Sequence, residues 1–544
     1  MSSPVPASSY TLGGFTRVCV LAIAAIGFLF DTYELLMFPV IGSSAVGELV
    51  HVNPDGSAPG WLAELGISSS PDLKRGAPPT SETVRTWGGR MQWIAALFGG
   101  VFGLLGGLLI DRLGRKTIMI ASILAYSLSP VAAAFSIELW QLVLFRCTTF
   151  MGVCVEMVAA VTWLAELFED KRTRELVIGW TLATASLGGL LVTVAYSSIV
   201  TAVRNESLPE LPFPAGYVAD NVAWRFTLLT GLIPGALILL LMPFVPESGV
   251  WKKKKLEGKL QRPGFGELFS PELRRTTIVT TILSACGYAA AFGALQMTPL
   301  QIVPGTPEMV AMIPQPVKDA EAKLRQTKKD SPEHADAAKD LAAARKAAAP
   351  ELKTAEAARR ARVGNIQLWQ ELGGFLGRIL LAVFLLFVPS RTLIRLFLIP
   401  GVILFPLTYF RLVEADYVVF AVAIFFCGLL TVAQFSFLSE FLPRVFPMHL
   451  RGTGGSFATN FGGRMIGTMA ATLNTEILAP MFTGPDMSPP LQVAAAAGVI
   501  GGSVYVIALL ATFFLPHPHE EVEKQAATFG RDEALNEPKS ETVD

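Results

Sequence analysis

Runs of about 20 apolar residues recur along the chain, separated by short polar turns, and a helix needs about that length to cross a bilayer. Twelve such spans are predicted, near residues 17–41, 88–110, 117–135, 138–164, 176–201, 225–245, 276–302, 365–388, 393–411, 417–441, 453–478 and 492–515. The pattern is that of an all-α membrane protein. The turns then set its orientation. Cations fill the second-to-third turn (Arg112, Arg115, Lys116), the fourth-to-fifth (Lys171, Arg172, Arg174) and the connection at Lys252 to Lys255. They also fill the eighth-to-ninth turn (Arg391, Arg395) and the tenth-to-eleventh (Arg444, Arg451). The third-to-fourth turn (Ser136 to Leu139) and the loop from Pro480 to Pro490 hold no Lys or Arg. Since Lys and Arg stay on the cytoplasmic side, both termini are expected in the cytoplasm of a multi-pass protein of the inner or plasma membrane.

The chain also repeats itself. Trp163-Leu-Ala-Glu166 closes the fourth span before a basic turn, and Phe437-Leu-Ser-Glu440 closes the tenth in the same way. Pro246-Glu247-Ser248 follows the sixth span, as Pro516-His-Pro-His-Glu520 follows the twelfth. Two pseudo-symmetric six-helix bundles are therefore predicted, 17–251 and 276–516, joined by a cytoplasmic linker at 252–275. Tails occupy 1–16 and 517–544. An irregular outer loop, rich in Gly, Pro and Ser, is expected over 42–84. Residues 304–363 form a second outer insertion. Its stretch from Val317 to Arg362 is dominated by Ala and charged residues, with breaks at Ser331-Pro332 and Pro350. That composition predicts two solvated helices standing as a hairpin, either a spacer or a dock for an extracytoplasmic partner.

Composition narrows the function. The 544 residues are 52% hydrophobic and 16% charged, against roughly a quarter charged in soluble proteins. The formal net charge is zero, which gives no electrostatic case for nucleic acid. Cys19, Cys147, Cys154, Cys286 and Cys427 all fall inside apolar runs and are expected as buried thiols. His517 and His519 lie in a polar tail, so no metal or cofactor is expected. There is no His-Glu-x-x-His run, Gly-x-Ser-x-Gly elbow or phosphate-cradling glycine loop to suggest an enzyme.

Charges inside hydrocarbon are costly and mark candidate sites. Asp31 and Glu34 lie three apart in the first span. On one helix face they would repel when both are ionised, which suits the pair to taking up and releasing a proton. A fixed pairing with cations is the structural alternative. In the fourth span Arg146, Thr149 and Glu156 follow helical spacing, with Arg146 and Glu156 about 15 Å apart along the axis. Arg146 is a natural partner for a carboxylate or phosphate, and equally for a protein acid. Tyr288 and Gln296 in the seventh span and Gln434 in the tenth offer neutral groups to a polar solute. Glu371 with Arg378, and Asn460 with Arg464, sit beside glycines and are expected to form interhelical bridges or gate contacts.

Between the second and third spans, Gly107 to Lys116 reads Gly-Leu-Leu-Ile-Asp-Arg-Leu-Gly-Arg-Lys. It fills every position of G-x-x-x-D-R-x-G-R-K and resembles the loop signature of the major facilitator superfamily. Gly27-Phe-Leu-Phe-Asp31-Thr-Tyr-Glu34 resembles the first-helix acidic motif of that superfamily's proton-coupled carriers of aromatic acids, phosphate and related metabolites, with Glu34 in place of a second Asp. Pro246-Glu247-Ser248 resembles the motif that ends the sixth helix of sugar porters, with Gly249-Val250 in place of Pro-Arg. The second copy of the signature, Pro389 to Arg395, keeps cations without the Asp or Gly.

The resemblance implies that the first, fourth, seventh and tenth helices line a central cavity. It also implies a cytoplasmic gate built from Gly107, Asp111, Arg112, Gly114, Arg115, Lys116, Glu166 and Glu440, with Asp111 against the start of the eleventh helix. The expected function is proton-coupled symport of a small organic anion or related metabolite by a monomer with no cofactor. Its partners would be the solute, protons and the lipid bilayer. A sugar or metabolite facilitator or exporter without proton coupling, and a non-transporting sensor using the outer hairpin, remain the alternatives.

Overall fold

The computed structural model describes residues 13–516 apart from 55–56, 68–71, 79–80, 169–180, 182–183, 215–216, 218–221, 249–251, 253–263, 328–331, 386, 448–449 and 485–486. Within them, twelve helices or interrupted helices follow the predicted spans. They are α1 (Gly14–Leu49), α2 (Glu82–Leu113), α3 (Arg115–Ala134), α4 (Leu139–Leu167), α5 (Ser186–Arg204) and α6, interrupted between Val222–Leu229 and Leu232–Leu241. In the second half come α7 (Arg274–Ala290, continued by π-helical turns to Ile302), α8 (Ala349–Phe384), α9 (Ser390–Phe410) and α10 (Tyr417–Val445). The last two are α11, which starts at Arg451–Ser456 and runs through π-helical turns to Leu478, and α12 (Pro489–Ala511). Eight of these are long and apolar enough to cross a membrane by length and composition alone. The other four, α2, α6, α8 and α11, carry charges or are interrupted, so they rely on packing against neighbours.

Glycines set how closely the helices pack. Gly373 and Gly377 of α8 meet the carbonyls of Phe425 and Leu429 on α10, and Gly428 of α10 meets the carbonyl of Gln370. A Cβ at any of the three would collide with backbone. This is the close crossing that small residues four apart permit. The two halves also share an end cap. Lys116, at the start of α3, donates through Nζ to the Val245 carbonyl after α6 at 2.7 Å. At the start of α9, Arg391 bonds the Leu515 carbonyl after α12, and Arg395 bonds Thr512 through Nε at 2.9 Å. Each cation satisfies carbonyls that a helix C-terminus leaves unpaired.

Three features of the insertion end differ from expectation. The first span continues to Leu49 instead of stopping near 41, because Gly42 packs under Leu300 and Glu48 accepts from the buried Arg225 at 2.6 Å. Residues 42–84 are only partly irregular: β1 (His51–Val52) pairs antiparallel with β2 (Lys74–Arg75), and Trp61–Glu64 forms one helical turn. The hairpin of the second insertion is Gln315–Gln326 against Pro332–Ala347, tied by Arg345–Glu321 at 2.7 Å and Lys323–Asp340 at 2.6 Å. Residues 349–362 are not part of it. Pro350 sits in the first turn of α8, where it starts a helix well, and the 36-residue helix runs roughly 54 Å. Its projecting end turns back on the first half, where Arg359 reaches Ser43 at 3.2 Å and Ser44 at 3.3 Å. All five cysteines are free and buried.

Candidate functional site

Asp31 sits midway along α1, almost fully buried, with its carboxyl against that of Glu156 on α4. Gly27, one turn earlier on α1, makes this possible: a Cβ there would lie 2.5 Å from Glu156 Oε1. Among the described residues no donor reaches either oxygen of Glu156 or Oδ1 of Asp31. Contact between two carboxyls becomes a hydrogen bond only when one of them carries a proton.

The countercharge comes from the opposite half. Arg464 lies in the π-helical part of α11, donates through Nη1 to Asn460 Oδ1 at 2.6 Å, and reaches Met157 Sδ of α4 at 3.8 Å. It is within electrostatic reach of Asp31, Cys154 and Tyr288, while its buried Nε has no partner. Wide turns of this kind often accompany functional positions. Tyr288 belongs to the same cluster: its ring covers Gly463 of α11, its Cβ lies against Gly467, and the ring meets Phe435 edge-on at 5.0 Å.

The structure separates Glu34 from Asp31. Three residues on a helix differ by about 60° in direction, and α1 packs against α2, α4, α5 and α6 of the first half. That rotation carries Glu34 into the core of the first half, fully buried, where Oε1 comes within 2.5 Å of where a Gly231 Cβ would be, beside Pro130. The expected shared face is therefore not built; the carboxyl that meets Asp31 is Glu156.

Arg146 is committed to backbone. Its Nη1 donates to the Glu34 carbonyl at 2.9 Å and its Nη2 to the Leu35 carbonyl at 3.2 Å. The rings of Phe38 and Phe150 lie 5.5 and 4.7 Å from its guanidinium. Thr149 bonds back to the Phe145 carbonyl at 2.8 Å. Gln296 is buried with Oε1 unpartnered, and Gln434 donates to the Leu430 carbonyl at 3.4 Å. Glu371 accepts from Gln367 at 2.7 Å and Gln370 at 3.0 Å, packed against Gly189 of α5 where the halves meet.

The hydrogen bonds of Lys116 in the signature turn go to residues of the first half. Gly114 takes a positive φ of 99°, which glycine tolerates. Arg112 is exposed, Arg115 donates to the Ile110 carbonyl at 3.2 Å, and the Lys116 amide donates to the Glu247 carboxylate at 3.1 Å. Glu440 pairs with Arg444 one turn along the same helix. The side chains of Asp111 and Glu166, and Gly107, lie outside the described residues, so the expected contact of Asp111 with the start of α11 does too.

Asn460 and Arg464, read from sequence as bridge or gate residues, are what the structure adds to the acid pair. The signal was present in Gly462-Gly463-Arg464, since two small residues before a buried cation leave room for it to face another helix.

The model of the Major Facilitator Superfamily matches residues 65–315. Facilitated glucose transporter member 8 of Bos taurus is 29% identical over 39% of this chain and 41% of its own length. The probable 4-methylmuconolactone transporter of Cupriavidus pinatubonensis is 24% identical over 39% and 47%. The 4-hydroxybenzoate transporter PcaK of Pseudomonas aeruginosa is 32% identical over 28% and 30%. The chain thus matches less than half the length of each of these relatives. Among solved structures, a D-xylose-proton symporter aligns with a TM-score of 0.59 at 13% identity, over 92% of this chain and 99% of that one. The xylose transporter XylE from E. coli, in a partially occluded inward-open conformation, aligns at 0.56 and 14% identity over 92% and 100%. A complete signature turn, a family model over residues 65–315 and an alignment of fold over nearly the whole length point one way: the first half of this multi-pass membrane protein is similar to the Major Facilitator Superfamily, and the chain as a whole shares the fold of the solved xylose transporters.

Proposed function

We propose that the chain is a proton-coupled secondary transporter that moves a small organic anion by alternating access between its two halves. One observation carries the reading: the Asp31–Glu156 carboxyl pair of the first half faces Arg464 of the second, across the seam where such halves separate. In the empty site Arg464 offsets the charge of the acid pair. A solute anion that takes Arg464 removes that offset, and two adjacent carboxylates in low dielectric then need a proton between them. Solute and proton therefore bind together, and the loaded site is near neutral. Rocking of the halves about this site then exposes it to one side or the other.

Arg146 braces α1 against α4, and Tyr288, Gln296 and Gln434 are the second half's candidate groups for the solute. Lys116 and Glu247 hold helix ends of the first half together at the signature turn, on the face that the Lys and Arg distribution favours as cytoplasmic. The relatives favour an acid or a sugar as cargo: 4-hydroxybenzoate, 3-(3-hydroxy-phenyl)propionate and 4-methylmuconolactone transporters on one side, an arabinose-proton symporter and a glucose facilitator on the other. The unpartnered Arg464 nitrogen favours the acids. Uptake into proteoliposomes with an imposed pH gradient, over a panel of aromatic acids, aliphatic acids and sugars, tests this. Acid accumulation that collapses with an uncoupler is expected. Accumulation of neither class under a gradient, with equilibration of a sugar, would establish the uncoupled facilitator instead.

A further inference from the structure

We propose that Arg90 is a two-partner latch: it holds the insertion end closed through Glu476 of the opposite half and passes to Glu64 of its own half when that end opens. Arg90 lies two turns into α2. Its Nε and Nη2 make a paired contact with Glu476 of α11, at 2.7 Å to Oε1 and 3.1 Å to Oε2. Its remaining nitrogen, Nη1, lies 3.6 Å from Glu64 Oε2. The guanidinium is thus divided between a strong forked contact across the seam and a longer one within its own half.

Glu64 is held ready for this. It ends the short helix Trp61–Glu64, is buried, and accepts from Trp87 Nε1 at 2.6 Å. Trp87 is one turn before Arg90 on α2, and its ring lies 5.2 Å from the guanidinium. Glu64, Trp87 and Arg90 therefore move together when the halves part, whereas Glu476 leaves with α11. Neighbouring contacts that cross the same seam would break with it: Arg85 to Gln492 at 2.6 Å, Trp93 to the Met465 carbonyl at 3.0 Å and Thr472 to the Gly89 carbonyl at 3.3 Å.

Breaking an ion pair at a membrane edge ordinarily strands a partly desolvated cation, which is costly. With Glu64 at hand the cation is never stranded, so the closed state is favoured without being locked. The two acids have opposite effects on one equilibrium: Glu476 stabilises only the closed state, and Glu64 gains most in the open one. A merely structural ion cluster would not show this opposition.

The latch rests on the halves separating at this end, but not on proton coupling. It is therefore tested without solute or pH gradient, and its failure is separate from a failure of the transport reading. Leu300, fully buried on α7 between Gly42 and Gly88, reports opening when replaced. In nanodiscs, Leu300→Cys is treated with a maleimide and the labelling rate at position 300 is read by peptide mass. Glu476→Gln is expected to raise the rate roughly two- to fivefold, the span of a partly exposed ion pair. Glu64→Gln, whose amide oxygen still accepts from Trp87, is expected to lower it, and the double variant to fall between them. An unchanged rate in Glu476→Gln, or a rise in both single variants, overturns the proposal.

Discussion

Arg146 donates through Nη2 to the carbonyl of Leu35 at 3.2 Å, and Leu35 is the residue whose helical donor is missing because Pro39 stands four positions later. A proline inside a helix removes the bond its N–H would make and leaves a carbonyl to be satisfied elsewhere. Arg146 supplies that donor from α4 and takes the Glu34 carbonyl as well. The cation in the fourth span is thus explained by a proline in the first.

It follows that Arg146 acts on stability more than on cargo. Arg146→Lys keeps the charge but cannot span two carbonyls while lying between two rings. Loss of one charge-assisted hydrogen bond, about 1.5–3 kcal/mol, is expected as a lower melting temperature of purified protein. Affinity for solute should change by less than about threefold. A variant that melts normally yet no longer binds solute would return Arg146 to the binding site.

The two acids of α1 should behave differently. Asp31→Asn removes a member of the proton-holding pair and is expected to abolish gradient-driven accumulation while leaving exchange of internal for external solute. Glu34→Gln, enclosed in the first half, is expected to retain accumulation. Uptake and exchange in the same proteoliposomes decide it, and accumulation surviving in Asp31→Asn would remove the coupling role from this pair.

Arg464 is the residue on which anion binding should depend. Arg464→Gln withdraws a charged donor from a buried site, and an affinity loss of about 10- to 100-fold is expected for an acidic solute. Arg464→Lys should restore part of it. Equilibrium binding by calorimetry on purified protein checks both; equal affinity in Arg464→Gln would point to a neutral cargo.

The insertion end should carry a pH dependence of stability. His51 lies outside the spanning segments, half-buried, with Nδ1 3.5 Å from Glu138. Burial pushes its pKa below the ordinary value of 6.5, Arg75 adds to the effect and Glu138 opposes it. The unfolded chain then takes up this proton before the folded one does, so stability falls as pH drops below about 6.5, by at most ~1.4 kcal/mol per unit. Melting curves between pH 7 and pH 5 are expected to show a shallower decline in His51→Gln than in the parent.

Much of the architecture was legible in the chain itself. Apolar length and turn charge gave twelve spans and two halves, because a bilayer imposes span length regardless of how helices later pack. The signature turn and the acids of α1 and α4 were visible for a related reason: a charge in hydrocarbon is rare enough to stand out without knowing its partner. Pro350 was read as a break between solvated helices. In three dimensions it opens α8, since proline ends a helix behind it and begins one ahead of it equally well.

Partnership was what only the tertiary structure decided. Spacing of three put Asp31 and Glu34 on one broad face, yet 60° of rotation around the helix sends them into separate spaces between helices. Arg146 looked available because the sequence does not reveal that Pro39 had created a carbonyl for it. Arg464 looked like a bridge because nothing local says which half it faces. Sequence records which residues are costly to bury; the identity of the neighbour that offsets each cost depends on how helices far apart in the chain are brought side by side.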